Sequence, residues 1–321
     1  TPDNPEEGGS DVIGDKGARR PPELLTRDHV ARCIAKQIKE GKGSPHGGVY
    51  LDISWIKENM PDAEAHINRK LPSMYHQFKE LADIDITTAP MEVGPTCHYM
   101  MGGVRVDSDT QQSTIPGLFA AGEVAGGMHG ANRLGGNSLS DLVVFGMLAG
   151  RHAAEYSTAS GSPAPVPEEV LDDHAEEALA PFDEHGDENP YSIQNDLQEC
   201  MSSLVGIIRT ESEMLEALDR LEVLKERLAR VHVEGHRQYN PGWHLALDLR
   251  SLLTVSECIA RAALERQESR GAQTRDDFPT TDGQWGKRRV VIRQQDGEVV
   301  VSQEPLSEMP EELRQLVEEE G

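Results

Sequence analysis

Basic side chains are scarce in this 321-residue chain: 31 Lys and Arg stand against 56 Asp and Glu, a formal charge of −25. That balance makes nucleic acid and anionic lipid poor partners for the bulk of the surface. It suits an ordinary acidic protein, or one from a salt-rich habitat, where screening lets a densely carboxylated surface stay hydrated. Long apolar runs are missing too; nothing approaches the ~18 consecutive apolar residues of a spanning helix, and no secretory leader is read. Cysteine is sparse, and Cys33, Cys97, Cys200 and Cys258 lie far apart with no C-x-x-C pairing. They read as reduced thiols in a cytoplasmic setting, neither a zinc site nor an iron–sulfur cluster. Also absent is the strand–G-x-G-x-x-G–helix turn that seats a dinucleotide pyrophosphate. The closest spacing, Gly122 to Gly127, lacks the first glycine pair and leads into a second loop.

Residues 1–22, rich in Pro, Gly, Asp and Glu, read as a mobile loop. Thr26 is placed to cap a helix in which Val30, Ile34 and Ile38 recur at four-residue spacing, with Gly41 as its stop. Val49–Ser54 alternates as a strand does, and residues 62–82 predict short helix and turn. Val104–Asp107 and Gly117–Ala121 read as strands, the second short and buried, and residues 137–156 as a helix. Ser157–Pro167 is a linker, and residues 168–189 form an acidic stretch of weak helical character. From Ile193 to Ala229, the positions Leu197, Met201, Leu204 and Ile208, then Leu215, Leu218, Leu221 and Leu224, predict amphipathic helices. Leu245–Gln267 is another, with Leu249, Leu252, Val255, Ile259 and Ala263 on one face, and the set reads as an antiparallel helical domain. Arg289–Arg293 and Val299–Ser302, joined by Gln294-Gln-Asp-Gly297, predict a hairpin, and a short acidic helix ends the chain.

The most informative stretch is His129-Gly-Ala-Asn-Arg-Leu-Gly-Gly-Asn-Ser-Leu139. A strand ending at Glu123, a loop of small residues and a helix N-terminus make a place where a large ligand approaches the backbone. A glycine-rich surface loop accounts for Gly135 and Gly136 but not for the apolar residues between Leu139 and Phe145 behind them. Arg133 has no acidic neighbour in sequence and suits bidentate pairing with a carboxylate, against the alternative of a structural arginine bonding loop carbonyls. Arg27 is a cation in the first turn of a helix, where it opposes the macrodipole by roughly 0.3–1 kcal/mol; with the helix N-terminus it makes an anion site, and Asp28 is placed to orient it. His98, after a Pro-Thr-Cys turn, reads by itself more as a satisfied structural histidine than as a ligand.

Several motifs together resemble the succinate dehydrogenase/fumarate reductase flavoproteins. Leu25-Thr-Arg27-Asp-His-Val-Ala-Arg-Cys-Ile34 resembles that family's catalytic-arginine helix, and Gly94-Pro-Thr-Cys-His98-Tyr-Met-Met-Gly-Gly103 its substrate-histidine motif. Glu123, His129–Arg133 and Asn137-Ser-Leu139 resemble its flavin and dicarboxylate segment. Asn240-Pro-Gly-Trp-His244 and Glu268-Ser-Arg-Gly-Ala-Gln-Thr-Arg-Asp-Asp-Phe-Pro279 resemble its helical and tail signatures. The motifs stand in the family's order and cover roughly residues 20 to 315.

The resemblance implies an α/β plus α fold. Residues 1–93 would end a mixed α/β substrate-capping domain, with Met91–Gly94 as the hinge, and residues 94–158 would close a Rossmann-like FAD domain. Residues 168–270 would be the helical domain, and residues 271–321 a tail with a small β-hairpin. The family's pyrophosphate turn and flavin-linking histidine belong upstream, so the chain reads as the C-terminal portion of a flavoprotein. The implied activity is FAD-dependent oxidation of succinate to fumarate or the reverse, with Arg27 as proton shuttle. His98 and Arg133 would hold the two carboxylates, with Glu123, Ser138 and Leu139 against the flavin. Electrons would pass to an iron–sulfur subunit, then to quinone. Membrane-anchor subunits would hold the assembly on the cytoplasmic face of the membrane. An L-aspartate oxidase and a non-catalytic fragment are the rival readings. Many relatives carry histidine where Gln273 stands, a departure that speaks against a flavin or proton role at this position. Arg270 would link the tail to the active-site wall, and Trp243 and His244 read as packing.

Overall fold

The computed structural model describes residues 27–183 and 185–320, without the side chains of residue 58 and residues 316–320. The expected mobile loop and the Thr26 cap lie outside the described residues. The chain forms two compact units, one through Tyr99 and one from Met100.

In the first unit, helix α1 spans Arg27–Lys39 and carries an Asp28–Arg32 ion pair at 2.8 Å, four residues apart as helix geometry favours. It stops as expected: Gly41 adopts φ +76° and its amide donates to the Ile38 carbonyl. The residue α1 buries is His29, while Val30 on the expected apolar stripe is exposed. Strand β1, Val49–Leu51, is shorter than the alternation suggested. Helices α2 (Ile56–Asn59), α3 (Ala63–Lys70) and α4 (Pro72–Ala82) follow. Strand β2, Met91–Val93, then pairs antiparallel with β1, Val49 opposite Val93 and Leu51 opposite Met91. Ile67, Ile86 and Met91 form the buried core, with Ile53, Met74 and Phe78 packed around it.

His46 joins the loop before β1 to Glu92 of β2, ring to carboxylate at 2.6 Å. The bond and charge of Glu92 raise the His46 pKa above its ordinary 6.5. The Ser44 hydroxyl, then the His46 ring and amide, hold Glu92 at about 2. The histidine's contribution to stability is whole below 6.5 and lost as pH rises through its raised pKa. The carboxylate's is whole above 4.5 and lost as pH falls through about 2. NMR titration of His46 is expected to give a midpoint above 6.5 that returns to the ordinary value in Glu92→Gln. A midpoint unmoved by that substitution would refute the coupling.

The second unit opens with a meander. The strands predicted at Val104–Asp107 and Gly117–Ala121 are isolated bridges, Val104 with Ala125, Val106 with Ser113 and Gln112 with Phe119, and form no ladder. Leu118, expected inside a buried strand, is 46% exposed. A ladder needs a partner strand, and none runs beside these segments among the described residues. Helix α5, Asn137–Ser160, runs past the expected end and takes Ser157–Ser160 from the linker; Thr158 donates back to the Ala154 carbonyl, and Gly161 at φ +69° ends it.

Helix α6 is Glu168–Leu179. Helix α7, Pro190–Leu204, starts from Asn189, whose side chain accepts from the Tyr191 amide, with proline at the first turn where no donor is needed. Helix α8, Glu211–Leu228, is capped by Thr210, and α9, Pro241–Glu265, by Asn240. These three pack on one another around Ile193, Leu197, Leu221, Leu224, Leu249 and Leu253. Leu252 and Val255 are not on the buried face of α9. The stripe runs through Ala246, Leu249, Leu253, Ala260 and Ala263, and the two residues flank it, 41% and 42% exposed. Leu249→Ala is expected to cost about 2–5 kcal/mol, read as a lower urea midpoint at unchanged m-value. A loss under about 1 kcal/mol would contradict this core.

Strands β3 (Arg288–Gln295) and β4 (Glu298–Pro305) make the predicted hairpin. Its two-residue turn puts Asp296 at φ 52° and Gly297 at φ 87°, both left-handed, as an Asp-Gly type I′ turn requires. Glu304 on β4 accepts from Arg105, which ties the hairpin to the meander, and from Arg293 of β3. The acidic helix α10, Glu311–Glu320, follows.

Candidate functional site

Four of the six expected site residues gather around the N-terminal end of α5. Glu123 sits in a 3₁₀ turn, Gly122–Val124, and is exposed; its carboxylate accepts from the Met100 amide at 2.9 Å. Gly103 lets two backbones meet there: a Cβ would collide with the Val124 carbonyl, to which the Val104 amide donates at 2.7 Å. The Gly126 amide then donates to the Val104 carbonyl at 2.9 Å. Gly122, at φ +76°, is covered by Leu142 of α5; a Cβ would lie 2.5 Å from that side chain. The Glu123 turn is thus seated against the first turns of the helix.

The loop before α5 carries Arg133, half-buried, whose Nη1 donates to the Leu134 carbonyl at a long 3.3 Å. Gly136, at φ +87°, is the N-cap and supplies no side-chain cap. The Leu139 amide donates to the Gly136 carbonyl at 3.2 Å, so that amide is already engaged, whereas the Ser138 amide has no backbone acceptor among the described residues. The two donors expected to act as a pair are therefore unequal. Leu139, Leu142, Val143 and Met147 are 72%, 50%, 73% and 59% exposed, and Leu134 is 73% exposed. This end of α5 combines a helix N-terminus, a carboxylate, a guanidinium and an apolar face.

A buried pair escaped the sequence reading. His129 Nε2 lies 3.2 Å from Asp141 Oδ2, with the side chains 10% and 5% exposed. The bond staples the start of the loop to the first turns of α5. The signal was available: Asp141 is the only charged residue between Arg133 and Arg151.

Arg27 and His98 belong to the first unit, and both are exposed. Arg27 lies in α1, whose described residues begin there. Asp28 does not orient it; its carboxylate is taken by Arg32 one turn on, the partner that helix periodicity provides. His98 lies in extended chain between β2 and the Gly102–Gly103 pair.

The tail signature is a framework of buried charge. Glu268 is fully buried and accepts from Arg266, from Arg270 and from the Asp282 amide. Burial pushes its carboxyl up, but the bonds to Arg270, Asp282 and Arg266 outweigh it and hold it below the usual range. Gln273 accepts from Arg209 at 2.7 Å and donates to the Ala263 carbonyl at 3.1 Å, a structural task with no part for proton transfer. Trp243 packs on Phe182 and donates to the Ala178 carbonyl at 2.7 Å, so it is packing as expected.

Residues 4–139 match the model of an FAD binding domain family, and residues 194–316 that of the fumarate reductase flavoprotein C-term family. One chain of the fumarate reductase (CoM/CoB) of Methanothermobacter marburgensis is 41% identical over 270 residues, 84% of this chain and 47% of that protein. A succinate dehydrogenase flavoprotein subunit of Coxiella burnetii is 36% identical over 287 residues, 84% and 48% respectively. Among solved structures, the Mycobacterium smegmatis Sdh1 complex with UQ1 superposes with a TM-score of 0.84 at 52% identity, covering 97% of this chain and 53% of that one. A quinol fumarate reductase of Escherichia coli gives 0.81 at 31% identity, covering 95% and 53%. An adenylylsulfate reductase of Archaeoglobus fulgidus gives 0.66 at 18% identity and covers 89% and 51%, a likeness of fold alone. The chain spans about half the length of the curated relatives it matches.

Proposed function

The chain belongs to the succinate dehydrogenase/fumarate reductase flavoprotein family, whose cofactor is FAD, and from that premise we propose that it supplies carboxylate clamps and one side of the flavin site to an enzyme interconverting succinate and fumarate. The observation that carries this reading is the convergence of Glu123, the Arg133 loop and the Ser138 amide at one end of α5. The exposed apolar side chains there are chemically suited to the flat, largely apolar face of an isoalloxazine. Glu123 accepts from hydroxyls of the cofactor's ribityl chain, and the Ser138 amide, helped by the helix N-terminus, stabilises negative charge near N1 and O2. Leu139 contributes apolar contact more than a donor. Residues 94–158 are assigned to the FAD domain on this basis, and residues 1–93 to the capping domain. FAD, when bound, supplies or accepts the hydride.

Arg133 takes one carboxylate of the four-carbon dicarboxylate through its planar fork, and His98 donates to the other. Arg27 exchanges the proton at the carbon adjacent to the one that gains or loses hydride. Electrons leave to an iron–sulfur subunit, then to quinone. The assembly lies on the cytoplasmic face of the membrane through its partners; no helix among the described residues is long and apolar enough to cross it. The apolar face of α5 and the half-length match support a flavin site completed by polypeptide outside these 321 residues.

The test is to assay the assembled flavoprotein for bound FAD and for succinate- and fumarate-dependent turnover with artificial electron carriers. Stoichiometric FAD with both activities is expected. Ammonia release from L-aspartate would move the protein to the oxidase reading, and FAD-loaded protein inert to every dicarboxylate would reduce the resemblance to ancestry.

A further inference from the structure

The tail signature reaches the Arg133 loop through one turn. Arg270 and Gln273 exchange both backbone hydrogen bonds, at 2.8 and 3.0 Å, with Gly271 and Ala272 at the tip. That tip rests on Ala131, two residues before Arg133. The Ala272 amide donates to the Ala131 carbonyl at 3.0 Å. Gly271 adopts φ +57°, and a Cβ there would lie 2.7 Å from the Ala131 oxygen and 2.9 Å from its carbon. Those are backbone atoms and cannot swing aside as a side chain end does.

The turn is held from behind on both sides. Arg270 grips the two oxygens of buried Glu268 at 3.0 and 3.1 Å and the Asp282 carbonyl at 3.0 Å. Gln273 is clamped between Arg209 and the last carbonyls of α9. The loop it touches is soft by composition, since Gly130, Gly135 and Gly136 have open space around them. A stiff element pressed on a soft one sets its position.

We propose that the Arg270–Gln273 turn is a positioning element for the Arg133 clamp, fixing the loop through the Ala272–Ala131 bond and the side-chain-free seat at Gly271. This rests on the reading of Arg133 as a carboxylate ligand. The tail and the end of α9 thereby govern dicarboxylate affinity without touching substrate, and Gln273 and Arg270 are positioning residues, not flavin ligands. A misplacement of about 1 Å at a positioning contact changes rates and affinities by up to about 100-fold.

The experiment uses the assembled holoenzyme carrying Gly271→Val, with Gly283→Ala as control, since nothing lies near that neighbouring glycine. Gly271→Val is expected to raise KM for succinate and the dissociation constant for malonate together, by about tenfold or more. The expected kcat stays within about threefold, and FAD content is unchanged. Hydrogen exchange is expected to quicken in residues 129–136 and not in α7 or α8. Gln273→Leu is expected to do the same more weakly, with Gln273→Glu, which keeps the acceptor for Arg209, closer to wild type. Unchanged KM and unchanged exchange in either folded variant overturn the inference, and Gln273→Leu decides alone if Gly271→Val fails to assemble. Arg133→Lys in parallel separates the two readings. If it leaves KM untouched, the carboxylate assignment fails; if it raises KM while Gly271→Val does not, the positioning inference fails.

Discussion

Arg27→Ala in the assembled enzyme is expected to lower kcat by about 10²–10⁴-fold, the range that removing a positioned acid or base costs. Arg27 lies in α1 and is exposed. The neighbouring acid that would have explained it structurally, Asp28, is committed to Arg32. An exposed guanidinium without that partner is suited to a negatively charged ligand. On the proposed function, the guanidinium would give a proton to one alkene carbon while its neighbour receives the hydride in the reductive direction. Loss of the proton donor acts on the transition state, so kcat and kcat/KM fall together while KM changes little.

Arginine and lysine separate charge from acidity at this position. Arg27→Lys keeps a cation but brings an ammonium whose ordinary pKa lies near 10.4. The variant is expected to turn over slowly and to gain an alkaline limb in the fumarate-reduction profile that wild type lacks. Near-normal turnover in Arg27→Ala would remove Arg27 from the mechanism altogether. Slow turnover with a flat profile in the lysine variant would reduce it to an electrostatic ligand.

Helices were legible because their signals are local. Asn189-Pro190 and Asn240-Pro241 write a cap and a first turn in two letters, and both helices start there. Asp296-Gly297 fixes the hairpin turn in the same way. The α9 face was read one residue off in places because Leu252 and Val255 are apolar and evenly spaced, yet small Ala246, Ala260 and Ala263 are what the close helix packing admits. Strands were less legible. Val104–Asp107 and Gly117–Ala121 have the composition of strands, but a ladder is a property of two segments, and these make only bridges.

The site divides along the same line. The small-residue loop and Glu123 announce themselves, since glycines beside an isolated charge have few other uses. What positions them does not. Asp141 is an acid in an apolar helix whose partner, His129, lies twelve residues back, and Gln273 meets Arg209 across sixty-four residues. A lone acid in an apolar helix is visible in the sequence, but its partner is not; burial of the polar group is what requires one.

Arg133→Ala is expected to lower kcat/KM for succinate by about 10²–10⁴-fold, since a hydrogen bond to a charged group contributes about 1.5–3 kcal/mol and a fork makes two. The half-buried setting argues for the upper part of that range, because a carboxylate left unpaired there is poorly rehydrated. The competing view is that Arg133 only braces its loop, as through the Leu134 carbonyl at 3.3 Å. A double-mutant cycle across the substrate tells the two apart. A monocarboxylate analogue lacks one partner, so a clamp predicts that wild type and Arg133→Ala handle it almost equally, the loss having been incurred once. A loop brace predicts that the variant loses the same factor on both substrates. Arg133→Lys, with charge but no fork, is expected to recover part of the loss and remain about tenfold below wild type. A kcat/KM for succinate within about threefold of wild type in Arg133→Ala would leave the loop without a clamp, and the function of its glycines would have to be sought in the flavin alone.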